Sequence, residues 1–160
     1  MRVTPEFTLR PLKIADALAA AAVIRAAFAA LSAAVDPPPS ALRETGESVA
    51  QTLAAGGGAG AEAASGLAGV VLWEAKDGGL YVGRLSVLPA WRGRGIASAL
   101  MAAAEAEARR RGLPRLHLAT RLALADNRRL FAACGFRETA QRAHSGYSAP
   151  TFVEMEKMLA

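Results

Sequence analysis

Leu85-Ser86-Val87-Leu88-Pro89-Ala90-Trp91-Arg92-Gly93-Arg94-Gly95-Ile96-Ala97-Ser98 is the stretch on which the fold turns. It begins inside an apolar run, Leu80 to Leu88, that reads as a strand and stops at Pro89. A turn with two arginines and two glycines follows, and Ile96 to Arg111 then reads as a helix. That helix carries Glu105/Arg109 and Glu107/Arg111 at i, i+4, with Gly112 at its C-cap and Pro114 just beyond. A strand that feeds a helix through such a turn is an anion site. The first helical turn leaves N–H groups unpaired and carries the positive end of the dipole, so a pyrophosphate there gains hydrogen bonds and a favourable field. Gly93 and Gly95 let phosphate oxygens approach the backbone, and Arg92 and Arg94 add charge. The turn lacks the Gly-Lys-Ser/Thr ending of a P-loop and the third spaced glycine of a dinucleotide fingerprint.

Upstream, Leu67 to Ala75 is rich in Val, Leu and Trp, and Lys76-Asp77-Gly78-Gly79 supplies a tight turn, which predicts a β-hairpin with Leu80 to Leu88. Gly56-Gly57-Gly58-Ala59-Gly60 reads as a mobile loop, or as the flexible start of a poor strand. Phe7 to Leu12 is a short strand. Ala17 to Val35 is then nearly apolar, but Arg25 interrupts its centre, and Ile14, Leu18, Ile24, Phe28, Leu31 and Val35 recur at helical spacing. That pattern predicts a core-facing helix rather than a membrane span or signal sequence, stopped by Asp36-Pro37-Pro38-Pro39. Ser40 caps a second helix through Leu53. Downstream lie a strand Leu116 to Thr120, a short helix Asn127 to Cys134, and strands Phe136 to Gln141 and Phe152 to Leu159. The order β, α, α, β, β, β, α, β, α, β, β predicts a mixed α/β (α+β) sheet with helices on both faces, in a single domain over residues 1–160.

A net charge of +5 suits a polyanionic ligand without naming one, and the 52% hydrophobic content is largely alanine, a helix former that drives membrane insertion weakly. One cysteine, Cys134, excludes an internal disulfide, and with only His117 and His144 beside it no structural zinc site is expected. A reducing, cytoplasmic setting fits. No nucleic-acid partner is expected, because no aromatic-and-basic stripe accompanies the charge; Trp73 reads as core and Trp91 as a turn residue. The Arg109-Arg110-Arg111 run complements its helix C-terminus, and Cys134, also at a helix C-terminus, is expected to be buried and inert.

The turn Arg92-Gly93-Arg94-Gly95-Ile96-Ala97 resembles the Arg/Gln-x-x-Gly-x-Gly/Ala signature of the GNAT acetyltransferases, placed as in that family after a strand ending in Val-x-Pro and before a long helix. Asn127-Arg128-Arg129-Leu130-Phe131-Ala132-Ala133-Cys134-Gly135-Phe136 is similar to the family's second motif, and Met155 to Leu159 to its last strand. The likeness is strong from Tyr81 to Phe136 and weak before Leu67. It implies a mostly antiparallel sheet of six to seven strands and acetyl-CoA as cofactor. It implies that the Leu85 and Val87 amides, on a splayed strand around Ser86, bond the pantetheine arm and polarise the acetyl carbonyl. Arg92, Gly93, Arg94, Gly95, Ile96, Ala97 and Ser98 would hold the pyrophosphate, Asn127 would reach the pantetheine, and Phe131 would pack near the thioester sulfur. The acceptor would be a small-molecule or peptide amine, and paired terminal strands make a homodimer compatible.

Two departures from the family pattern stand out. Phe131 lies where many relatives have a tyrosine acid, and phenylalanine has no proton to give. Tyr81 lies where histone-type relatives have a glutamate base, and Gly83 where arylalkylamine-type relatives have a histidine. Tyr81, His144 and Tyr147 are therefore the candidates for acid or base. Bland roles compete for each residue: His144 as a loop residue, Tyr147 as a packing lid, His117 as a strand residue with a satisfied hydrogen bond. By strand alternation Arg84 falls on the face opposite Tyr81, Gly83 and Leu85, where it could pair an acidic acceptor or a structural carboxylate such as Glu74, and the structural pairing is the one expected. The same departures motivate a second class of function, a non-catalytic acyl-CoA-binding module.

Overall fold

A computed structural model describes residues 6–31 and 34–160. Seven strands form one sheet: β1 (Thr8–Pro11), β2 (Gly57–Ala63), β3 (Gly66–Lys76), β4 (Gly79–Val87), β5 (Arg115–Arg121), β6 (Arg137–Arg142) and β7 (Phe152–Met158). Their order is β1-β2-β3-β4-β5-β7-β6, and β4–β5 is the one parallel pair. Helices α1 (Ala17–Ala29) and α2 (Gly46–Ala55) cover one face; α3 (Ile96–Arg110) and α4 (Ala125–Ala133) cover the other. The sheet alternates accordingly. Val70 and Leu72 of β3 pack toward α1 and α2, while Val71 and Trp73 pack with Ile96, Leu100 and Phe131. Among the described residues, no helix is long and apolar enough to cross a membrane.

Four expectations change in the structure. The glycine run around Gly58 is strand β2, inserted between β1 and β3 and buried. Its glycines answer to crowding: a Cβ at Gly58 would lie 2.5 Å from the Val71 carbonyl oxygen, and one at Gly60 2.8 Å from Leu67 and 2.9 Å from Leu12. Helix α1 buries Ala17, Ala20, Ala21 and Ala27 with Val23 and Ile24, whereas Leu18 is 73% exposed and Ile14 53%. Alanines make the contact because small side chains let α1 lie close to α2 and the sheet.

The helix also ends at Ala29, short of the prolines and of residues 32 and 33, which lie outside the described set. Its last carbonyls have a tertiary partner, since the Arg92 guanidinium donates to Ala27 and Ala30, both at 3.2 Å. Ser40 begins only a 3-10 turn, Ser40–Arg43. Helix α2 is capped instead by Thr45, whose hydroxyl accepts from the Ser48 amide at 3.1 Å.

The corner between β1 and α1 is tied by Arg10, which reaches both Asp16 oxygens at 2.8 and 2.9 Å and Glu62 at 2.7 Å. Helix α3 keeps both anticipated ion pairs, Glu105–Arg109 at 3.7 Å and Glu107–Arg111 at 2.7 Å, and Gly112 takes φ +69° beyond its end.

Candidate active site

Strands β4 and β5 pair only where they start, at Leu80↔Leu116 and Tyr81↔His117, and then part. Two features hold them apart. Strand β5 stays zipped to β7 as far as Arg121↔Phe152. Strand β4 bulges at Arg84, whose φ is +56°, and the β3–β4 register shifts between Val70 and Leu72. The bulge breaks the alternation on which the expected position of Arg84 depends. Tyr81, Gly83 and Arg84 all line the cleft on the α1–α2 side, while Leu85 and Val87 turn toward α3.

The fork exposes backbone. Leu88 donates its amide to the Ala68 carbonyl at 2.9 Å, and residues of an antiparallel ladder face their partner alternately, so the Val87 N–H points away from β3 and into the fork. Beyond Val87 the chain makes a 3-10 turn, Pro89–Trp91, and passes through Gly93 at φ +76° and Gly95 at φ +83°; Gly95 is the N-cap of α3. The first helical hydrogen bond runs from Ala99 to the Gly95 carbonyl at 3.1 Å. The amides from Gly93 to Ser98 have no backbone acceptor among the described residues. Nothing lies within 4 Å of where a Cβ at Gly93 or Gly95 would project, so the cradle is open in front. Gly69 fixes the helix start beside the fork, because a Cβ there would sit 2.7 Å from Ile96 Cγ2. An extended pyrophosphate thioester fits this set, with anionic oxygens over the α3 amides and a carbonyl oxygen at Val87.

The side chains around the turn are less available than its backbone. Arg92 is engaged with the end of α1, and Arg94 stacks on Trp91 at 4.8 Å and pairs with Glu6 at 3.0 Å. Ile96 and Ser86 are buried, and the Ser86 hydroxyl donates to the Arg84 carbonyl at 2.8 Å. Ala97 is half-buried and Ser98 exposed. Phe131 packs on Phe136 in the core, with a ring separation of 6.1 Å, and leaves little surface for a ligand. Asn127 is half-buried in the first turn of α4, behind the N-cap residue Leu124. Cys134 is half-buried rather than buried, and burial pushes its thiol up from the ordinary value.

On the α1–α2 side the fork opens into a cleft of about 780 Å³. Arg84 crosses it to Glu44 at 2.8 Å and to the Ser40 hydroxyl at 3.1 Å, so the partner of this arginine is Glu44 and not Glu74. His144 lies in the cleft wall beside Phe152, at a ring distance of 5.0 Å, and its backbone N–H donates to the Thr151 hydroxyl at 2.9 Å. Its Nδ1 also bonds that hydroxyl. With Nδ1–H as donor, Nε2 carries the free lone pair a base needs. Burial, with the nearby Arg121 charge, holds the imidazole below its ordinary pKa and hence neutral near pH 7.

Tyr147 donates its hydroxyl to Asp36 at 2.7 Å, a bond that raises its pKa and occupies its proton. Tyr81 packs edge-on against His117 at 5.3 Å, with Lys76 over its ring at 5.0 Å, and the His117 Nε2 is satisfied by the Lys76 carbonyl at 2.8 Å. The cleft thus brings together Arg84 and His144, beside the β4 arm that carries Val87, while Tyr81 lies at the closed end of the fork. Glu44 and Arg121 were missed from sequence. Neither sits in a motif: Glu44 reaches the cleft from the turn before α2, where the bulged Arg84 meets it, and Arg121 from the end of β5.

A profile of the acetyltransferase (GNAT) family matches residues 19–136. The chain belongs to the GNAT acetyltransferase family. Members are acyl-CoA-dependent N-acyltransferases, which agrees with a fork and a helix N-terminus set end to end. Solved GNAT structures share the fold. The ribosomal-protein-S18-alanine N-acetyltransferase of Escherichia coli is 17% identical over 95% of this chain and 93% of its own, with a TM-score of 0.76. The PaiA N-acetyltransferase of Thermoplasma acidophilum, solved with coenzyme A, is 20% identical over 96% and 99%, with a TM-score of 0.77. Ard1 of Thermoplasma volcanium is 17% identical over 98% and 99%, with a TM-score of 0.78. No curated protein sequence is a significant match to the chain.

Proposed function

We propose that this chain acts as one domain that transfers the acetyl group of acetyl-CoA to a primary amine by direct attack, in a cytoplasmic setting. The observation that carries the reading is the fork, with the Val87 N–H directed into it and the unpaired α3 amides at its mouth. Bound acetyl-CoA supplies an activated thioester. The α3 amides hold its pyrophosphate, and the backbone near Leu85 and Val87 aligns the pantetheine arm. The Val87 N–H stabilises negative charge developing on the carbonyl oxygen.

The amine nitrogen forms a bond to the acetyl carbon, the C–S bond breaks, and its electron pair leaves with the CoA thiolate. His144, neutral near pH 7, accepts the amine proton directly or through water. Tyr147 and Tyr81 have weaker claims, because one hydroxyl is bonded to Asp36 and the other sits at the closed end of the fork. Nor does Phe131 offer an acid, so the thiolate leaves unprotonated.

The test is steady-state kinetics over an amine panel, with intact-mass analysis after incubation with acetyl-CoA alone. Direct attack predicts intersecting initial-rate lines and no mass increase; parallel lines with an added acetyl group on the protein would exclude it. A second reading, a non-catalytic acyl-CoA-binding module, draws on Phe131. It predicts saturable CoA binding with no amine acetylated.

A further inference from the structure

The cleft contains a second cation. Arg121, the last residue of β5, lines it, and its guanidinium donates to the Pro37 carbonyl at 2.5 Å and the Pro38 carbonyl at 3.4 Å. Only two of its N–H donors are used in this way, and both acceptors are neutral. Among the described residues no carboxylate lies within ion-pair distance of it. Glu44 is committed to Arg84. Asp36 acts on Arg121 through space, with Oδ1 taken by the Tyr147 hydroxyl. Glu74 lies across from Tyr81, level with His117 and so four strand positions from Arg121, about 13 Å at an extended rise.

The register gives Arg121 its meaning. Tyr81 is level with His117, and counting forward along the parallel strands brings Arg121 level with Leu85, within the one-residue offset that the Arg84 bulge introduces. Arg121 and Val87 are therefore on opposite arms of the fork, and Arg121 lines the same cleft as Gly83 and Arg84. A half-buried guanidinium with no carboxylate in contact favours an anion, and its planar fork suits a carboxylate in particular. Burial already pushes the pKa of Arg121 down, which a bound carboxylate would reverse.

We propose that Arg121 binds the carboxylate of the acceptor and that the acceptor is a free α-amino acid. In that class the carboxylate and the nucleophilic amine are one carbon apart, which suits an anion site and an acyl site on the two arms of one fork. A peptide or protein N-terminus does not qualify, because its α-carbon carries a neutral amide where Arg121 seeks a charge. The proposal rests on the acetyltransferase reading above and narrows it.

The experiment compares kcat/KM for free α-amino acids with that for their carboxamides, in the wild type, Arg121→Gln and Arg121→Lys. Thermal unfolding and acetyl-CoA titration check that each variant is folded and loaded. The wild type is expected to prefer acid over amide by about tenfold to a hundredfold, the worth of a hydrogen bond to a charged group. In Arg121→Gln the preference collapses through KM for the acid, and Arg121→Lys recovers part of it. If Arg121 only pins the Pro37–Pro38 segment, acid and amide lose equally, and that result overturns the proposal. So does a wild type that accepts amides as well as acids.

A parallel calorimetric arm titrates N-acetyl amino acids and N-acetyl amino amides into CoA-loaded protein. An Arg121-dependent preference for the acid without any turnover would keep the carboxylate site and reject the acetyltransferase reading. Equal binding of acid and amide would reject the carboxylate site.

Discussion

The two sides of the fork are built on different principles. On the α3 side the groups presented are backbone: the Val87 N–H, the amides from Gly93 to Ser98, and glycines whose positive φ few other residues adopt. On the α1–α2 side they are side chains, Arg84, Glu44, His144 and Arg121, brought in from four separate segments. A backbone site tolerates almost any side-chain drift so long as the glycines and the turn persist. A side-chain site changes with each substitution. On the function proposed above, one half of the molecule serves the cofactor and the other the acceptor.

Substitutions on the two sides should separate in the same way. The largest effect is expected from Gly95→Trp, which fills the open cradle in front of α3 and forces a bulky residue to φ +83°. Acetyl-CoA affinity by calorimetry should fall at least about a hundredfold, or 2.7 kcal/mol, while the protein remains folded. Next is Arg84→Ala, which leaves the mostly buried Glu44 carboxylate unpaired. Stability measured by urea unfolding should drop by about 1–3 kcal/mol, and acceptor KM should rise with acetyl-CoA affinity kept.

His144→Gln is intermediate. Because the folded pKa of His144 is below its ordinary 6.5, the neutral base persists to lower pH, so the acid limb of kcat/KM should lie below pH 6.5 in the wild type and vanish in the variant. An unchanged limb would remove His144 from the chemistry. Arg92→Ala should be smallest on the cofactor, with acetyl-CoA affinity within about threefold, less than 1 kcal/mol. Its cost should appear in the melting temperature, since the guanidinium caps α1.

A loss of cofactor affinity in Arg92→Ala as large as in Gly95→Trp would erase the distinction between the two sides. Acid stability offers a check away from the site. Asp16 is held at about 2 by Arg10, below its ordinary 3.8, so its contribution is present above pH 3.8 and lost as pH falls toward 2. Asp16→Asn should flatten that part of the stability profile.

The sequence is legible where local chemistry decides the outcome. The strand, turn and helix from Leu80 to Gly112 follow from Pro89, the spaced glycines and the helix punctuation, and the hairpin follows from Asp77-Gly78. It is less legible where contacts distant in sequence decide. Gly57 to Gly60 have loop composition, yet β2 forms because β1 and β3 leave no space for side chains there. The end of α1 is fixed by Arg92, which is more than sixty residues away, and the face it buries is set by close packing rather than by its larger residues. The bulge at Arg84 inverted the expected faces of β4, and no alternation rule anticipates a non-glycine residue at positive φ. Glu44 enters the site from the turn before α2, where the bulged Arg84 meets it, and Arg121 enters from the end of β5.

The most direct test of the central claim is the turnover of Val87→Pro. Proline at this position removes the N–H that points into the fork and leaves the Leu88–Ala68 ladder bond in place. At saturating acetyl-CoA, and with the variant shown to be folded, kcat is predicted to fall by about a hundredfold to a thousandfold, the usual cost of removing one oxyanion donor. A folded, cofactor-binding Val87→Pro with wild-type kcat would contradict acyl transfer at this fork.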